Sequence, residues 1–179
     1  MSAGVVLASK SATRRAVLEG AGVAFETASS GVDEDVAKAE LLATGADPRQ
    51  VAEALAELKA VAVSVGRPEW VIGADQTLEF EGRLYDKAET VADARARLKA
   101  LRGKPHQLHS AVAVARDGEV VWRDLESATL IMRDFSDEFL EAYLAAEGDE
   151  ALGSVGCYRL EGLGVQLFTV GATIVIAAV

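Results

Sequence analysis

The segment Ser9-Lys10-Ser11-Ala12-Thr13-Arg14-Arg15 gathers two serine hydroxyls, one lysine and two arginines. It sits between an apolar run, Gly4 to Ala8, and a helical pattern with Val17 and Leu18. Backbone N–H groups at a helix start attract anions. Arginine adds forked donors that match phosphate oxygens. Each charge-assisted hydrogen bond contributes roughly 1.5–3 kcal/mol. The segment is not the glycine-rich Walker pattern. Arg14 and Arg15 as solvated charges on a surface helix remain an equal alternative.

Acids and further cations lie downstream. Val32-Asp33-Glu34-Asp35 places three carboxylates after a strand, and Ile72-Gly73-Ala74-Asp75-Gln76 ends an apolar strand in a single acid. An acid so placed has the burial and rigidity that a catalytic group requires. Lys59 lies late on a long helical stretch, and Asp86-Lys87 follows a hairpin pattern. Hydrolysis of a phosphoanhydride needs cations on the phosphates, a divalent metal, and a base or metal-bound hydroxide. Arg14, Arg15, Lys59 and Lys87 supply candidates for the first need. Glu34 and Asp75 supply candidates for holding metal or activating water. Plainer readings stand beside these: Asp33 to Asp35 as favourable charges at a helix start, and Lys59 as a solvated helix charge. His106 and His109, expected to share a face of one strand, are read as structural rather than metal-ligating. Cys157, Trp70 and Trp122 are read as packing residues.

Composition limits what these groups can serve. The chain has 179 residues, half of them hydrophobic, which suffices for one domain with a real core, read as 1–179. A net charge of −10 argues against a nucleic-acid coat, while a local basic cluster can still make a positive cleft. One cysteine excludes an intrachain disulfide and fits a reducing, cytoplasmic setting. No leader pattern opens the chain, and no apolar run approaches the ~20 residues of a membrane span.

The elements that must position these groups follow from periodicity and punctuation. Strands are expected at 4–8, 25–28 and 70–74, and a hairpin at 77–85 turning on Glu81-Gly82. Helices are expected from Ser11 to about Gly22, at 36–44 and at 48–65, the last with Val51, Leu55, Leu58 and Ala62 recurring. Thr90 to Asp93 is a capping box opening a helix to Leu101. Strands 106–116 and 119–133 flank the hairpin signal Asp117-Gly118. Ser136 caps a helix to Glu147, with Phe135 and Leu140 as its staple. The remainder reads as glycine-rich strand. Together these predict an α/β or α+β fold with antiparallel strands in the middle.

In this order and spacing, a set of motifs resembles the Maf family of nucleotide pyrophosphatases over Val6 to Phe168. The motifs are Leu7-Ala8-Ser9-x-Ser11-x-x-Arg14-Arg15, Val32-Asp33-Glu34, Ala56-x-x-Lys59-Ala60, Ile72-Gly73-Ala74-Asp75, Leu101-Arg102-Gly103-Lys104-Pro105-His106, and Gly156-Cys157-Tyr158-x-x-Glu161-Gly162-x-Gly164. The resemblance implies an α/β fold with a mixed, partly antiparallel sheet, flanking helices and two lobes around a cleft, similar to inosine triphosphatase. It implies Mg²⁺ or Mn²⁺ as cofactor, a homodimer, and cleavage of a nucleoside triphosphate into monophosphate and pyrophosphate. Asp75 would be the proton acceptor and, with Glu34, a metal ligand. Ser9, Arg14, Arg15, Lys59 and Lys87 would bind phosphate.

Substrate choice in this family varies with the positions occupied here by Thr13, Gln76 and Glu161. Gln76 with Glu161 looks like the branch acting on 7-methyl-GTP. The chemistry agrees, since a carboxylate accepts from the two adjacent donors of guanine and favours a base made cationic by methylation. Thr13 is smaller than the residues usual there and would leave a more open pocket. Two departures stand out: Ala88 replaces a proline after Lys87, which would loosen that turn, and residues 171–179 stand where the family continues with a Gly-Leu-Pro segment and a helix. The competing expectation is a nucleotide-binding regulator of cell division with little or no hydrolysis.

Overall fold

Side chains set the helix starts. In the computed structural model, which describes residues 4–169, Ser11 caps α1 (Ala12–Gly20) by accepting from the Arg14 N–H. Asp33 caps α2 (Glu34–Ala43), and Asp47 with Gln50 forms a capping box at α3 (Pro48–Ser64), where Pro48 lacks the N–H that would be orphaned anyway. Thr90 and Asp93 box α4 (Val91–Leu101), and Ser136 caps α5 (Asp137–Glu147). The strands are β1 (Val5–Leu7), β2 (Phe25–Thr27), β3 (Trp70–Phe80), β4 (Arg83–Tyr85), β5 (Pro105–Arg116) and β6 (Glu119–Ile131). Two 3-10 helices, Gly148–Gly153 and Leu163–Leu167, close the described chain.

The fold is mixed α/β. The sheet order is β2-β1-β3-β5-β6, with β4 pairing antiparallel to β3. β1 lies between β2 and β3 and is parallel to both, so that Leu7 stands opposite Thr27 on one side and Ile72 on the other. Both tight turns have a left-handed residue pair: Glu81-Gly82 at φ 52° and 74°, and Asp117-Gly118 at 51° and 84°. This double positive φ matches strand twist, which is why an X-Gly pair marks the hairpin.

The described residues form two compact units, one of 4–76 with 109–127, the other of 77–108 with 128–169. In the first, Ala52, Ala56 and Ala60 of α3 pack on Ala111, Ala113 and Ala115 of β5, while Val6, Ala8, Val63 and Val71 make a smaller cluster. In the second, Leu78, Phe80, Leu98, Leu101, Leu130 and Met132 bury with α5 and the late loop. Each fully buried Leu or Met contributes roughly 1.5–3 kcal/mol.

Several expectations are corrected. The face of α3 that packs is Val51, Ala52, Leu55, Ala56, Lys59, Ala60 and Val63; Leu58 is 43% exposed and Ala62 also faces out. Strand 70–74 and the first arm of the hairpin are one continuous strand, β3. Among the described residues, 148–169 are not strand: they are 3-10 helix and turn, with a bridge from Met132 to Phe168. Their backbone is satisfied by side chains instead, as in Tyr143 Oη to Cys157 O at 3.0 Å and Arg97 Nη1 to Val155 O at 2.7 Å. Trp70 and Trp122 are 38% and 53% exposed rather than packed inside. His106 and His109, three apart on β5, face opposite sides. The tail, 171–179, lies outside the described residues.

Candidate active site

β1, β2 and β3 run parallel where they pair, so their carboxyl ends emerge on one side. Open sheets of this kind place ligands beyond such ends. Ser9 follows β1, Ser29 follows β2, and Asp75 lies three residues past the Leu7-paired position on β3. A pocket of about 250 Å³ opens there, lined by Ser9, Lys10, Arg15, Thr27, Ala28 and Ser29.

Asp75 and Gly73 share one face of β3, the face on which α3 lies. The missing Cβ of Gly73 allows this approach, since a Cβ there would stand 2.3 Å from Ala56 O and 2.6 Å from Ala60 N. The contact brings Lys59, one turn beyond Ala56, onto Asp75: Lys59 Nζ donates to Asp75 Oδ1 at 2.6 Å. The same Nζ lies 2.9 Å from Glu34 Oε2 in the first turn of α2. Lys59 is only 4% exposed. A buried ammonium requires such pairing, because an isolated charge inside a protein is very costly. Glu34 opens α2, as the plainer reading expects, and also meets Lys59.

Arg14 is half-buried and donates from Nη1 to Ser9 Oγ at 3.2 Å. Its guanidinium feels the carboxylates of Asp75 and Glu34; burial lowers its pKa and those two acids oppose the shift. The Asp75 carboxyl is raised above its ordinary 3.8 by burial, against Lys59 and Arg14, which pull it down. A carboxylate so raised is a stronger proton acceptor than a solvated one.

The structure thus gathers Ser9, Arg14, Glu34, Lys59 and Asp75 in the first unit, with the exposed Arg15 on the wall of the pocket. Thr13 is exposed on α1, and Gln76, also exposed, donates from Nε2 to Ser110 Oγ at 2.8 Å. Lys87 and Glu161 are exposed residues of the second unit, the one after β4 and the other in the late loop. Thr27 and Ser29 were not singled out from the sequence. The available signal was a hydroxyl-rich stretch directly after a strand parallel to β1.

Among the described residues no group of three or more His, Cys, Asp or Glu gathers to hold a metal. Glu34 and Asp75 offer hard-oxygen donors of the kind Mg²⁺ takes, and both are paired with Lys59 Nζ. Mg²⁺ is commonly held by one or two carboxylates together with water and substrate phosphate. No helix among the described residues is long and apolar enough to cross a membrane.

By sequence, residues 4–171 match the family described as Maf-like protein. A nucleoside triphosphate pyrophosphatase of Caulobacter vibrioides is 60% identical over 164 residues, 92% of this chain and 82% of that protein. A 7-methyl-GTP pyrophosphatase of Brucella abortus is 46% identical over 169 residues, 94% of this chain and 85% of that protein. Among solved structures, the Ham1 protein of Staphylococcus aureus superposes with a TM-score of 0.46 at 17% identity, covering 73% of this chain and 72% of that one.

Proposed function

The chain belongs to the Maf-like family, and from that premise we propose that it hydrolyses nucleoside triphosphates to the monophosphate and pyrophosphate. The observation that carries the reading is the convergence of Arg14, Glu34, Lys59 and Asp75 beside the hydroxyl-lined pocket. In this reading the phosphates enter the pocket past Ser9 and Arg15. Arg14 lays its fork on phosphate oxygens, where charge grows in the transition state. Asp75 takes the proton of the attacking water, and Lys59 holds that carboxylate in place. Mg²⁺ or Mn²⁺ would be held by Glu34 and Asp75 and would supply Lewis acidity to the phosphoryl group. Lys87 adds a further cation.

Glu161 reads the base, with Thr13 and Gln76 shaping specificity. A carboxylate pairs with two adjacent donors and favours a cationic base, which points to 7-methyl-GTP as a substrate. The name of the Brucella relative supports that choice, and the name of the Caulobacter relative supports a broader triphosphate activity. A homodimer and a cytoplasmic setting belong to the same proposal; the single, buried Cys157 suits a reducing compartment.

Pyrophosphate release over a nucleotide panel with Mg²⁺ and Mn²⁺ tests the reading. Asp75→Asn is expected to lower kcat by roughly 10²–10⁴-fold with the fold retained. Normal turnover by that variant would remove Asp75 as the base. Nucleotide binding without a metal-dependent product would leave a binding regulator in place of an enzyme.

A further inference from the structure

Glu147 ends α5 with its side chain 3% exposed. Carboxylates seldom enter an interior without partners. Here the partners bracket one short turn. Oε2 accepts from Arg159 Nη2 at 3.3 Å and from Nε at 3.4 Å, and Oε1 accepts from the Leu163 N–H at 3.1 Å. Between those two residues lie Leu160, Glu161 and Gly162. The turn is tightened by the Gly162 N–H donating to Arg159 O at 3.2 Å. Gly164 packs against the same backbone, since a Cβ there would stand 2.5 Å from Arg159 O. Arg159 is fixed from outside as well, by Glu150 at 2.9 Å.

We propose that Glu147 is a positioning residue, a buried clamp that fixes the Arg159–Leu163 turn and thereby sets Glu161 to read the nucleotide base. The inference rests on the reading of Glu161 given above and goes beyond it by naming what holds that carboxylate. An exposed turn without an anchor explores many backbone and side-chain states, and each must be given up on binding. A group that discriminates between bases has to be held within about half an ångström of its working position. α5 and its terminal carboxylate provide that rigidity from an element that carries none of the proposed phosphate chemistry.

The test compares Glu147→Gln, Glu161→Gln and the double variant, with kcat and KM measured for 7-methyl-GTP and for uridine triphosphate. Glu147→Gln is expected to lower the ratio of kcat/KM for 7-methyl-GTP over uridine triphosphate by about tenfold, mainly through KM, because a displaced reader loses one aligned contact. Glu161→Gln is expected to move the ratio in the same direction, and the double variant no further, because both act through one group. If Glu147→Gln lowers both nucleotides alike while Glu161→Gln shifts the ratio, Glu147 is structural and the proposal fails. If Glu161→Gln leaves the ratio unchanged, the base-reading role of Glu161 fails first and takes the clamp with it. Should Glu147→Gln not fold, Arg159→Gln releases the same turn from a side chain 36% exposed, and its nucleotide ratio decides the matter by the same criterion.

Discussion

Lys59 places a single ammonium against two carboxylates, Asp75 at 2.6 Å and Glu34 at 2.9 Å, and only the Asp75 contact is deeply buried. A buried pair of this kind adds little net stability, but removing one partner leaves an uncompensated charge and costs about 3–5 kcal/mol. Lys59→Met is therefore expected to destabilise the protein by about that amount and to lower turnover sharply. Asp75→Asn in the same background should restore part of the stability, because the orphaned carboxylate is then gone. A double-mutant cycle by urea denaturation should give a coupling of roughly 1–3 kcal/mol; simple additivity would mean that the two side chains do not form the pair. Asp75 stands out in the sequence as a lone acid in an apolar stretch, but it lies within β3 rather than at its end, since that strand continues to Phe80. Lys59 was not legible from periodicity alone. The buried face of its helix includes three alanines, Ala52, Ala56 and Ala60, beside Val51, Leu55 and Val63, whereas Leu58 stays exposed. The arginines at the start of α1 kept two readings open: Arg14 is half-buried and meets Ser9 in the field of Asp75 and Glu34, whereas Arg15 is exposed.

The distance between Lys59 and Asp75 is an element-scale property, set by how closely α3 approaches β3. Gly73 permits that approach, and an added methyl would lie 2.3 Å from Ala56 O, a backbone atom that cannot swing aside. Gly73→Ala is expected to push the helix outward, to destabilise by about 1–3 kcal/mol and to lower kcat up to a hundredfold by separating the paired groups. Gly153→Ala is the control, with nothing within 4 Å of the added atom and an expected effect within about 0.5 kcal/mol. Urea midpoints and steady-state turnover of the two variants make the comparison; equal effects would mean that Gly73 does not set the helix position. Elements with local chemistry were readable: the box of Thr90 with Asp93, the cap at Ser136 and the turn at Asp117-Gly118 all stand as expected. The late loop was misread as strand. Its glycines and apolar residues suit extension, but its backbone groups are claimed by Tyr143, Ser154, Arg97 and Glu147. Three of those four lie far enough away in sequence that no local window contains both partners. The turn carrying Ala88 was expected to be loose for want of proline; Ala88 is buried, and Arg97 donates to the neighbouring Asp86 O.

At the scale of the whole molecule, the net charge of −10 and the buried His106 pull in opposite directions as pH falls. Protonating surface carboxylates relieves self-repulsion and favours the compact state. His106 opposes this. Its Nε2 meets Tyr158 Oη at 2.6 Å, its Nδ1 is buried without a hydrogen-bond partner among the described residues, and burial lowers its pKa from 6.5 to about 4. Between those two values the unfolded chain binds a proton that the native state does not, so stability rises with pH across the window and is lost as pH falls from about 6.5 towards 4. A depression of that size corresponds to roughly 3 kcal/mol, a large share of the usual 5–15 kcal/mol of a folded domain. His106→Gln keeps a polar partner for Tyr158 and removes the titration. Urea denaturation at pH 7 and pH 4.5, followed by far-ultraviolet circular dichroism, should show the wild type losing about 2–3 kcal/mol more than the variant over that interval. Equal losses would show that His106 does not stay neutral in the folded protein. In that case the acid sensitivity of the molecule would belong to carboxylates whose pKa is held down by ion pairs, as Asp137 is by Lys99 and Arg102.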